Sequence, residues 1–114
     1  MLDDGRAADG GQVISARQLK ALFQRSATNP AYGRLWWLNG STYAIRPGPN
    51  SPRSETALIP AAPADLVAAL GAQDHKLYIV PSRRLLVVRM GQAAPDKDFD
   101  QQVWLRLMKA VPSR

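Results

Sequence analysis

The chain has one histidine, His75, preceded by Asp74 in "GAQDHKLY". A histidine can act as a general base or a metal ligand, but each role needs partners. Adjacent residues on a strand face apart, so Asp74 and His75 do not converge on one ion. A Ser-His-Asp triad would need a serine on a sharp elbow, and no serine lies in Gly-x-Ser-x-Gly. Asp3, Asp4 and Asp9 are interleaved with glycines and read as a solvated loop. "DGGQ" at 9–12 opens no helix directly after a strand, so it is no phosphate loop. There is no cysteine, which removes disulfides, thiolate zinc sites and cysteine nucleophiles. From spacing alone no catalytic residue, metal ligand or cofactor is expected.

The residues best suited to binding are the paired tryptophans of "YGRLWWLNG", Tyr32 to Gly40. Neighbouring side chains on a strand point to opposite faces, so Trp36 and Trp37 cannot both enter one half-buried face. Either the strand is covered on both sides, or one indole is exposed. An exposed Trp36 or Trp37 would make the chain a stand-alone, non-catalytic module, with the indole a platform for a small ligand or peptide.

Composition is that of a globular domain, 46% hydrophobic and 21% charged over 114 residues. That length suits a single domain. The net charge of +6 suits a polyanionic partner, but the basic residues are scattered and only Arg83 and Arg84 adjoin. A nucleic-acid partner is therefore not expected. "MLDDGRAADGG" lacks the apolar core of a signal peptide, and no apolar run approaches the ~20 residues of a membrane span.

"SARQ" at 15–18 reads as a capping box that opens a helix over 16–26, with Leu19, Leu22 and Phe23 as its apolar stripe. Asn29-Pro30 ends it. Tyr32 to Asn39 reads as a strand, and Asn39-Gly40 as a two-residue hairpin turn into "STYAIR". Residues 47–63 hold five of the nine prolines and read as a long surface loop. "DLVAALGA" from Asp65 to Ala72 fits helix or strand. "HKLYIVPS" and "RRLLVVRMG" read as two strands joined by a tight turn. Leu85 to Val88 is continuously apolar, which predicts cover on both sheet faces. Asp98 caps a last helix, with Gln101 third and a stripe of Phe99, Val103, Leu107 and Val111 widened by Trp104 and Met108.

In order, "NPAYGRLWWLNG", "ADLVAALGAQDHKLYIVPSRRLLVVRMG" and "FDQQVWLRLMKAV" resemble the C-terminal third of the β-lactamase-related serine hydrolases. That family groups class C β-lactamases, D-alanyl-D-alanine carboxypeptidases, esterases and 6-aminohexanoate-dimer hydrolase. The resemblance covers nearly the whole chain. It implies an α/β fold of the α+β type, a partial antiparallel sheet of about three main strands with flanking helices. Residues 1–114 would be one partial domain, the C-terminal part of a β-lactamase/transpeptidase-like fold, with 47–63 as its Pro-rich loop.

The resemblance also implies hydrolysis of an ester or amide through an acyl-enzyme, and here the chain departs from the pattern. No serine is followed three residues on by lysine, so the Ser-x-x-Lys nucleophile is absent. Tyr32, Tyr43 and Tyr78 are followed two on by Arg34, Ile45 and Val80, not asparagine. Ala69-Leu70-Gly71 stands where Lys-Thr-Gly is expected. What survives is a substrate-binding stretch, Gly71, Ala72 and Gln73. In it the Ala72 N–H would be half of an oxyanion hole, and Gly71 would permit close approach. The chain is expected to be the inactive tail of a serine hydrolase, from a truncation, a misplaced start or a split gene. The family is often periplasmic or secreted. Its last sheet strand is covered by strands from near the N-terminus. Without them, Arg84 to Met90 is expected to be an exposed apolar edge that favours self-association.

Overall fold

The computed structural model describes residues 2–111. The chain is α+β, with antiparallel sheets and two helices. Helix α1, Ala16–Leu22, starts where Ser15 Oγ accepts the Gln18 N–H at 3.1 Å. It stops four residues short of the expected end. The returning chain takes over its C-terminus, and the Arg34 N–H donates to the Leu22 carbonyl at 2.9 Å. That approach requires Gly33, because a Cβ there would lie 2.6 Å from the Leu22 oxygen.

The expected strand from Tyr32 to Asn39 contracts to β1, Trp37–Leu38. Residues 32–37 fold into a tight loop instead, with Gly33 N–H donating to the Trp36 carbonyl at 2.8 Å and Leu35 in the left-handed region. Nor does Asn39-Gly40 form the expected hairpin. β1 pairs with β4, Val67–Leu70, while β2, Ala44–Ile45, pairs with β3, Arg53–Ser54. The dipeptide makes a corner whose side chain is spent on a distant segment. Asn39, 2% exposed, accepts the Ile59 N–H at 2.9 Å. It donates to the carbonyls of Ile59, Ala62 and Pro63 at 2.9, 3.2 and 3.0 Å. Gly40 turns at φ +72° against Ala64. The Pro-rich segment is therefore no free excursion. It contributes β3, and Leu58, Ile59 and Ala62 are buried.

β4 settles the ambiguity at 65–72 in favour of strand. It pairs with β5, Lys76–Val80, which pairs with β6, Leu85–Arg89. The sheet order is β1-β4-β5-β6, four strands where about three were expected. Between β5 and β6 a single turn of 3₁₀ helix, Pro81–Arg83, ends on Arg84 in the left-handed region. Asp65 holds it by accepting from Ser82 N–H at 2.7 Å and Ser82 Oγ at 2.9 Å.

Register assigns the two faces. Trp37, Ala68, Tyr78 and Val87 align on one, and Leu38, Val67, Ile79 and Leu86 on the other. Helix α2, Phe99–Ala110, packs on the first face. Its buried Trp104 meets Tyr78 edge-on at 5.5 Å, a geometry worth about 0.5–1.5 kcal/mol beyond area burial. On the second face Leu38, Val67 and Ile79 pack with Leu2, Phe23, Trp36 and Leu77. The paired tryptophans thus serve opposite faces of a covered strand. Trp37 is 8% exposed and Trp36 is half-buried, edge-on to Phe23.

Cover on both faces does not extend to β6, contrary to the reading of Leu85 to Val88. Leu86 is 51% and Val88 58% exposed. The packed cluster on that face ends at β5. The α2 start also differs from expectation. Asp98 makes no side-chain cap and accepts instead from Gln102 Nε2 at 2.9 Å. Gln101 Oε1 accepts the Ala61 N–H at 3.0 Å, tying the helix to the Pro-rich segment.

Candidate functional site

Gly71, Ala72 and Gln73 lie together at the tip of the β4–β5 hairpin, and all three are exposed. Leu70 and Lys76 close the ladder. Beyond them the Gly71 N–H donates to the His75 carbonyl at 2.8 Å, and the His75 N–H to the Ala72 carbonyl at 3.2 Å. Those two turn bonds leave out the Ala72 N–H. Gln73 and Asp74 both sit at positive φ, 55° and 62°, backbone strain concentrated in two consecutive residues. A Cβ on Gly71 would stand 3.2 Å from the His75 oxygen, so the strand and its return pass close at that point.

Beside the tip, on the α2 face, four charges meet. Lys76 and Arg89 are register partners on β5 and β6, so they share a face by pairing alone. The Lys76 ammonium lies 3.0 Å from Asp74 and is also ion-paired with Asp100 of α2. The Arg89 guanidinium lies 3.3 Å from Asp74 and 3.6 Å from Asp100, and stacks 4.6 Å from the Phe99 ring centre. Two cations and two anions tie the hairpin tip, β6 and the first turn of α2 together. The hydrogen bond from Lys76 holds the Asp74 carboxyl below its ordinary range. Partial burial opposes this, while the Lys76 and Arg89 charges add to it.

Tyr78, one step along β5, is buried, and its hydroxyl has no hydrogen-bond partner among the described residues. Burial pushes that hydroxyl well above its ordinary range, and the Asp100 carboxylate adds to the shift. A groove of about 410 Å³ runs between β6 and α2, walled by Val87, Met90, Phe99 and Val103. A second hollow of about 280 Å³ lies between the β2–β3 pair and the start of α2.

This arrangement supplies no nucleophile or free base. Each carboxylate of the cluster is matched by a cation, and Tyr78 is driven away from ionisation. Ser82 has a carboxylate partner in Asp65 but no histidine. His75 lies at the other end of β5, five residues with a rise of about 3.3 Å each. Among the described residues no group of three His, Cys, Asp or Glu side chains could hold a metal ion, and no helix is long and apolar enough to cross a membrane. Sequence reasoning singled out Gly71, Ala72 and Gln73, which the structure sets at an exposed hairpin tip, and missed the neighbouring ion cluster. The one available signal was the Lys76–Arg89 register across a four-residue turn. Of Trp36 and Trp37, offered as alternatives for an exposed platform, Trp37 is core and Trp36 is half-buried. No family model, curated protein or solved structure matches the chain.

Proposed function

We propose that the chain is the C-terminal portion of a β-lactamase-like serine hydrolase, with the nucleophile supplied by residues outside this sequence. Its part would be structural and substrate-facing. The β4–β5 tip would present the Ala72 N–H to a developing oxyanion, with Gly71 and Gln73 beside it. The parent would cleave an ester or amide through an acyl-enzyme. One observation carries the reading. A β4–β5–β6 meander runs into a helix packed on one face, and its last strand is apolar and open at the edge. Such an edge calls for further sheet. The sequence lacks Ser-x-x-Lys, so under this reading the chain by itself would form no acyl-enzyme.

The test is the intact mass of the native product, captured with an antibody to this chain and treated with a fluorophosphonate probe. The expected result is a probe-labelled species well above 12.5 kDa, or a labelled partner that copurifies. A 12.5 kDa product with no labelled companion would sink the hydrolase reading.

A further inference from the structure

We propose that the 114-residue chain forms a two-fold dimer in which β6 pairs antiparallel with β6 of a second copy. β6 is the terminal strand of the sheet. Leu85 to Val88 carries none of the lysines, prolines or bulges that blunt an edge. On the face away from α2, Leu86 and Val88 are more than half exposed, and Met90 next to them is 72% exposed.

The edge is complementary to itself. A two-fold axis at Val87 sets Leu86 opposite the partner's Val88, Leu85 opposite the partner's Arg89, and Arg84 opposite the partner's Met90. Every apolar residue of the exposed face then meets an apolar residue or an arginine stem, and no like charges oppose. Arg84 is already matched by Asp3 at 2.8 Å. On the α2 face, the partner's Leu85 arrives beside the groove walled by Val87, Phe99 and Val103. Both phases of the antiparallel ladder satisfy this axis. Val87 meets its own copy either as a hydrogen-bonded or as a non-hydrogen-bonded pair.

The pairing closes on itself. The opposite edge, β1, is two residues long and offers too little backbone to propagate a sheet. A short strand and three exposed side chains bury less than the ~800 Å² per partner of a standard interface, so the dimer is weak and depends on concentration. The dimer is a property of the 114 residues by themselves; in a longer parent whose own strands pair with β6, the same edge would be filled and the dimer would not form.

The chain lacks cysteine, so single-cysteine variants report the register cleanly. Leu86→Cys and Val88→Cys are oxidised separately and as a mixture. The expected result is a disulfide dimer mainly in the mixture, since 86 faces 88 across the axis while 86–86 and 88–88 are diagonal, beyond about 7 Å between Cα atoms. Equal crosslinking in all three samples, or none, overturns the proposal. Sedimentation velocity supplies the second readout. Wild type should shift from monomer to dimer with concentration, and Leu86→Lys/Val88→Lys should stay monomeric with unchanged far-ultraviolet circular dichroism. A wild type that remains monomeric to about 500 µM, or grows past dimer, overturns it equally.

Discussion

Replacing Asn39 by alanine should be among the most damaging single changes in this chain, although it removes only a carboxamide. That side chain is the pin between β1 and the Pro-rich segment. Its oxygen accepts the buried Ile59 N–H, and its two N–H bonds are shared among three carbonyls, those of Ile59, Ala62 and Pro63. Alanine leaves the Ile59 N–H without a partner where water does not reach, at about 1–3 kcal/mol. Two lost N–H···O bonds add about 1 kcal/mol each. The sum is about 3–5 kcal/mol, a third or more of the stability of a typical domain. At about 4 °C per kcal/mol for a chain of this size, Tm should fall by about 12–20 °C. Urea and thermal unfolding followed by tryptophan fluorescence would measure it, since Trp37 adjoins the pin. Asn39→Asp separates the two halves of the effect. It keeps an acceptor for Ile59 but sets a carboxylate against three carbonyl oxygens, and should be at least as damaging as alanine. A loss below about 1 kcal/mol for Asn39→Ala would refute the claim that this amide holds the segment.

Lys76→Met should lower the urea midpoint, because Asp74 and Asp100 would keep their charges and lose their nearest cation, with only Arg89 left to face them; adding Asp100→Asn should recover part of the loss in a double-mutant cycle read by urea unfolding. Acid should act partly through Asp74. Its folded pKa lies below the unfolded value of 3.8, so its contribution is complete above that value and lost as pH falls through the lower folded one. An acid-unfolding profile should therefore flatten below pH 4 in Asp74→Asn. Trp104→Ala should cost about 3–5 kcal/mol, since the indole is buried against Tyr78; an unchanged urea midpoint would contradict the packing described.

Where local pattern sufficed, the elements were legible. β5 and β6 could be read as short apolar, β-branched runs on either side of a tight turn, and α2 from its four-residue apolar period. Ser15 capped α1 as expected. The reading went astray wherever a residue's strongest local habit was overruled by a distant partner. Asn39-Gly40 has the signature of a hairpin, but by turning inward the carboxamide makes hydrogen bonds with Ile59, Ala62 and Pro63 that no two-residue turn offers. The same overruling moved β1 from Ala44–Ile45 to β4. The α1 end fell early because Arg34 took the Leu22 carbonyl, a contact between residues too far apart for any periodicity to register.

Sequence by itself determined what chemistry this chain lacks. Without cysteine it has no thiolate chemistry and no disulfide, and no serine stands in Ser-x-x-Lys. It also determined which segments are strand or helix wherever the apolar period was clear. Only tertiary structure decided which strand pairs with which, and that Lys76, Arg89, Asp74 and Asp100 meet. It alone decided that one face of β6 stays bare. The continuous apolar run of Leu85 to Val88 specifies two faces that need cover, but cover is a property of neighbours. The apolar cluster on the face away from α2 ends at β5, so half of what the run calls for is left unmet.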